Sequence, residues 1–99
     1  MLPEAPRLMI VDDDPVTCEL LCEVFAAEGF TSRFAQSGEA ALESLANDSL
    51  DVLVSDIRMQ TPLDGLTLLD HVRQEYPQVP VVLGVLLPAR RHGRSPPAR

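Results

Sequence analysis

Leu8-Met9-Ile10-Val11-Asp12-Asp13-Asp14 and Asp51-Val52-Leu53-Val54-Ser55-Asp56 decide the fold. Each is an apolar run that stops at acid. Read as parallel strands of one sheet, the runs bring Asp12, Asp13 and Asp56 to its carboxyl edge, where open α/β sheets place their ligands. Carboxylates ~4 Å apart repel by roughly 4 kcal/mol per pair at an effective dielectric near ~20. A divalent cation, a held proton or screening water relieves that repulsion. The cation reading gives the edge a chemical purpose.

Outward from these runs, helical and extended patterns alternate. Leu8 to Val11 reads as a buried strand. Asp14-Pro15 is a helix start, with Asp as N-cap and Pro in the first turn. That helix is expected to reach Glu28, with Val16, Leu20, Val24 and Ala27 on one face and Gly29 as its stop. Phe30 to Phe34 reads as a strand. Ser37 caps a second helix, whose Ala41, Leu42 and Leu45 face inward and which Asn47-Asp48-Ser49 closes. Leu50 to Ser55 is apolar apart from Asp51, as expected for a strand covered on both faces. A loop from Ile57 to Gly65 leads to a third helix, Leu66 to Glu75, with Leu66, Leu69 and Val72 at helical spacing. Val79 to Val85 is a fourth strand. The order βαβαβαβ implies a parallel sheet with right-handed crossovers.

The chain has 99 residues, so it holds one domain at most. Its net charge of −7 argues against nonspecific nucleic-acid binding, and no direct nucleic-acid partner is expected. All eight of its cations are arginines. The Val79 to Leu87 stretch contains Pro80 and is too short to span a bilayer, and the N-terminal run ends in acids as no signal peptide does. No membrane association and a cytoplasmic location are expected. Cys18 and Cys22 lie four apart on a helix without a second pair to complete a metal site, and read as small half-buried residues. After Leu87 the apolar periodicity ends, and residues 88–99 form an Arg/Pro-rich tail expected to be disordered. Such sequence is what an out-of-frame read of GC-rich coding DNA tends to give, so a frameshifted or truncated domain is expected.

Val11-Asp12-Asp13-Asp14, Asp56-Ile57-Arg58-Met59, Asp64-Gly65-Leu66 and the helix Ser37-Gly38-Glu39-Ala40-Ala41-Leu42-Glu43-Ser44-Leu45 together resemble the receiver domain of bacterial two-component response regulators. The similarity extends over about residues 7 to 83, with a leaning toward receivers that precede transcriptional activators. It implies a flavodoxin-like (CheY-like) doubly wound sheet ordered 2-1-3-4. It implies that Asp56 accepts a phosphoryl group from a histidine kinase or phosphotransfer protein. It also implies Mg²⁺ held by Asp13 and Asp56 directly, by Asp12 through water, and by the main-chain carbonyl of Arg58. The domain is a signalling module, with no enzyme activity expected. An aspartyl phosphatase or transferase would need a second acid two residues after the nucleophile, where Arg58 stands.

The sequence also departs from that family. A Thr or Ser usually ends strand 4, but the corresponding position is Val85, and no Ser or Thr occurs between Leu68 and Pro88. The lysine that usually ends strand 5 is missing, as is every lysine. Gln60 replaces a usual proline. Strand 5 and the last helices have no counterpart, so residues 7–87 read as an incomplete receiver. The conformational readout of phosphorylation is expected to fail. Strand 4, with Val81, Val82, Leu83 and Val85, becomes an open edge suited to self-association. The alternative is a degenerate receiver that binds partners without phosphorylation, or a non-functional frameshifted fragment.

Overall fold

Strand pairing makes the two apolar runs neighbours. The computed structural model describes residues 4–57, 59 and 64–84. In chain order these form β1 (Arg7–Val11), α1 (Pro15–Ala27), β2 (Thr31–Ala35), α2 (Gly38–Asn47), β3 (Val52–Asp56), α3 (Gly65–Glu75) and β4 (Val81–Gly84). All pairings are parallel, and the sheet order is β2-β1-β3-β4, as the alternating pattern implies. Among the described residues there is no fifth strand. The tail over 88–99 lies outside the described residues, as does Val85.

The continuous apolar character of β1 follows from cover on both faces. Leu8 and Ile10 join Cys18 and Val54 in a cluster that Leu21, Cys22, Phe25 and Phe30 of the α1 side pack against. Met9 and Val11 join Ala41, Leu45, Leu53, Leu68 and Val72 in a larger cluster on the α2 and α3 side. Ile10, Leu53, Leu68 and Val72 are fully buried. Each such side chain contributes about 1.5–3 kcal/mol relative to exposure.

The helix ends form as the sequence implies. The Asp14 side chain accepts from the Val16 amide and from the Thr17 hydroxyl, the latter at 2.7 Å, with Pro15 in the first turn. The Ser37 hydroxyl accepts from the Ala40 amide at 3.1 Å. α1 ends one residue before the expected Glu28, which serves as its C-cap. Gly29 follows at φ +101, where only glycine is free of strain. The Gly29 amide bonds to the Ala26 carbonyl and the Phe30 amide to the Phe25 carbonyl, each at 3.1 Å. This is the Schellman pattern, and its usual hydrophobic contact is the Phe25–Phe30 ring pair, edge-to-face with centroids 5.8 Å apart. Phe30 is thus spent on the cap, and β2 begins at Thr31. The acid inside the third apolar run also has a structural use. Asp51 precedes β3, its carboxylate accepts the Arg7 amide at 2.7 Å, and its own amide donates to the Arg7 carbonyl at 2.9 Å.

The apolar face of α1 that the spacing picks out is not the buried one. Val16, Leu20 and Val24 are 70%, 46% and 47% exposed, and Ala27 is exposed too, whereas Thr17 and Cys18 are buried. Two apolar stripes run along this helix, Val16-Leu20-Val24 and Cys18-Leu21-Cys22-Phe25, and periodicity alone does not choose between them. The cap decides: Asp14 fixes the helix phase, and Cys18 then points its thiol at the Asp12 carbonyl, 3.2 Å away. A smaller correction applies to α3. Leu66 is exposed and Leu68 takes the core position, while Leu69 is half-buried and Val72 buried as expected.

Candidate functional site

The register of β1 on β3 pairs Val11 with Ser55, so Asp12 and Asp56 follow at the same level of the sheet. Both are buried, at 0% and 1% exposure. Asp13 and Asp14 are half-buried. The Asp12 carboxylate accepts the Asp14 amide at 2.9 Å, and the Asp12 amide donates to the Ala35 carbonyl of β2 at 3.1 Å. The acidic triplet is therefore a folded turn, with the Asp12 carboxylate holding the Asp14 amide and the Asp14 carboxylate capping α1.

Burying a carboxylate costs free energy unless it is paired, hydrogen-bonded or bound to a metal. Asp12, Asp13 and Asp56 supply hard oxygen donors, the kind that Mg²⁺ takes. Among the described residues, no three His, Cys, Asp or Glu side chains form a group able to hold a metal by themselves. Mg²⁺ does not demand one, since it commonly binds through one or two carboxylates with waters completing its shell. The donor set thus fits Mg²⁺ chemically. The Arg58 carbonyl, the fourth expected donor, lies outside the described residues.

On the other side of Asp56 stands Gly84, its register partner in β4. A side chain placed at Gly84 would meet nothing within 4 Å among the described residues. Val85, where a hydroxyl is usual, is outside the described residues. Beneath the edge, Cys18 is buried under Asp12. Its thiol is pushed up to about 12, first by burial and then by the charge of Asp12, which makes it a poor nucleophile. Burial raises the Cys22 thiol as well. His71 lies exposed on α3, its Nδ1 3.3 Å from the Thr67 carbonyl. Met59 packs against the core. Asp64 is the N-cap of α3 and accepts the Thr67 amide at 3.1 Å.

Two contributors escape a reading of residue types. Ser55 is buried, and its hydroxyl donates to the Asp56 carbonyl at 2.9 Å. Gly65 brings the start of α3 against the same Asp56 carbonyl, and its amide donates to the next one, of Ile57, at 2.9 Å. The Asp64-Gly65 pair is the one sequence signal for that approach, and it reads equally well as a turn.

The family description "response regulator receiver domain" matches residues 8–85. The nitrogen assimilation regulatory protein NtrX of Azorhizobium caulinodans is 38% identical over 80 residues, covering 80% of this chain and 18% of that protein. The DNA-binding transcriptional regulator NtrC of Escherichia coli is 40% identical over 74 residues, covering 75% of this chain and 16% of that protein. The chain thus spans less than a fifth of the length of these curated relatives. The response regulator protein TrrA of Thermotoga maritima, solved in complex with Mg(2+)-BeF, superposes with a TM-score of 0.77 at 30% identity, over 90% of this chain and 74% of that one. Sheet order, acidic edge and sequence agree: the chain belongs to the response regulator receiver domain family.

Proposed function

We infer that this receiver accepts a phosphoryl group on Asp56 from a histidine kinase or phosphotransfer protein. The observation that carries the reading is the pair of buried carboxylates, Asp12 and Asp56, one step beyond the Val11–Ser55 register pair. Asp12, Asp13, Asp56 and the Arg58 carbonyl would hold Mg²⁺, which when bound offsets the charge of the incoming phosphoryl group. An Asp56 carboxylate oxygen forms the new bond to phosphorus. The bond from phosphorus to the donor imidazole nitrogen breaks, and the freed imidazole takes up a proton. The backbone of β3 orients the acceptor, and the turn from Asp12 to Asp14 keeps a second carboxylate beside it.

The exposed stripe Val16-Leu20-Val24 supports a docking role for α1. It starts in the first turn after the acidic triplet, so an apolar helix seated there reaches the sheet edge. Borohydride reduction after treatment with acetyl phosphate tests the site, because it converts an aspartyl phosphate to homoserine. Homoserine at position 56 is the expected result; homoserine at another aspartate would overturn the assignment.

A second reading is a receiver that binds its partner without phosphorylation. Val85, where this family usually has a Thr or Ser, favours it. Kinase binding of equal strength by the native protein and Asp56→Ala, with no phosphoryl uptake, would select it.

A further inference from the structure

We propose that Gly65, backed by the Ser55 hydroxyl, is a positioning residue for the acceptor. It lets α3 seat directly on the peptide that follows Asp56 and so sets where the acceptor carboxylate stands. The inference rests on the reading of Asp56 as phosphoacceptor.

Space is the reason for glycine here. Gly29 is the one glycine with positive φ among the described residues, so Gly65 needs no left-handed backbone. A Cβ at Gly65 would fall on the Asp56 carbonyl oxygen, 2.8 Å from the Ile57 Cα and 3.0 Å from the Asp56 carbonyl carbon. These are backbone atoms, which cannot rotate aside as a side chain could. The Gly65 amide already holds the Ile57 carbonyl at 2.9 Å, and the Ser55 hydroxyl holds the Asp56 carbonyl at 2.9 Å. The two carbonyls after the acceptor, of Asp56 and of Ile57, are therefore each held by one donor, and the bare Gly65 Cα lies against the first of them.

α3 has little room to retreat. Leu68 and Val72 on its inner face are fully buried, and Asp64 caps its first turn. β3 is held on both sides, by β1 and by β4, up to the Asp56–Gly84 pair. An added methyl must be absorbed largely at Asp56 and Ile57. A misplacement of about 1 Å at a reacting group costs about 10²-fold in rate.

The test compares the full chain with Gly65→Ala and with Val72→Ala, a core truncation on the same helix that serves as the stability control. Mg²⁺ is titrated at low temperature with amide NMR, and phosphoryl uptake from acetyl phosphate is followed by intact mass. Gly65→Ala is expected to need at least about 10-fold more Mg²⁺ and to take up phosphoryl about 10²-fold more slowly. Val72→Ala, corrected for its folded fraction, is expected to match the native protein. Equal behaviour of the two variants at equal folded fraction overturns the proposal. A native protein that binds no Mg²⁺ and gains no phosphoryl group instead overturns the acceptor reading, and this inference with it. Should Gly65→Ala fail to fold, Ser55→Ala carries the test: a raised Mg²⁺ requirement supports the proposal, and an unchanged one refutes it.

Discussion

Asp12 and Asp56 leave adjacent parallel strands at the same level, each directly after a member of the Val11–Ser55 pair, and both are buried. Two like charges so placed repel, and Mg²⁺ would offset that repulsion. Asp56→Asn is therefore expected to stabilise the Mg²⁺-free protein while removing the acceptor. A gain of about 1 kcal/mol would raise the melting midpoint by roughly 4–8 °C for a domain of this size. Mg²⁺ should raise the native midpoint and leave that of Asp56→Asn almost unmoved. Calorimetry with and without Mg²⁺ reads both effects, and equal Mg²⁺ shifts in the two proteins would contradict the account.

The exposed stripe on α1 separates stability from docking. Leu20→Glu should change unfolding free energy by no more than about 0.5 kcal/mol, as a surface substitution does. Leu68→Ala, at a fully buried position, should cost about 2–5 kcal/mol. Urea melts decide this. Uptake from acetyl phosphate should survive Leu20→Glu, whereas transfer from a protein donor should fall.

Cys18 imposes a pH dependence whose sign is fixed. Its thiol titrates near 9.0 in an unfolded chain and at about 12 when folded, chiefly because of burial. The folded state thus holds its proton more tightly. Stability from this group is fully present below pH 9.0 and declines as pH rises toward about 12. Denaturant midpoints measured across that window should fall, and Cys18→Ala should flatten the fall. An equal slope in the variant would remove Cys18 as its cause.

At the end of α1, Gly29→Ala should destabilise by about 1–2 kcal/mol, the cost of placing a side chain in the left-handed region. Thermal unfolding measures it. A neutral result would mean that the Phe25–Phe30 contact persists with another backbone geometry at the cap.

β4 has one strand neighbour among the described residues, and Val82 is 53% exposed. Residues 76–89 carry no charge and β4 itself holds no proline, so no side chain of the strand discourages pairing between copies. Sedimentation should show concentration-dependent self-association that Val82→Lys weakens. A monomer at every concentration would remove this edge as a contact.

Much of the architecture was legible because its signals are local. The caps at Asp14 and Ser37 and the stop at Gly29 depend on neighbouring residues, and the acid-ended apolar runs identify the strands that carry the site. The inward face of α1 was not legible, because the helix carries two apolar stripes and only the docking of Cys18 under Asp12 distinguishes them. Strand ends were off by one or two residues where a side chain serves another element, as Phe30 serves the helix cap and Asp51 ties down Arg7. The nearness of Asp12 to Asp56 follows from strand order. The seat of Gly65 on the Asp56 peptide is a tertiary contact with no periodicity to announce it.

The most direct test of the central claim is intact mass after incubation with acetyl phosphate, with and without Mg²⁺, for the native protein and Asp56→Asn. The account predicts the gain of one phosphoryl group that requires Mg²⁺ and is absent from the variant. A folded native protein that gains nothing, or a variant that is still labelled, would contradict it.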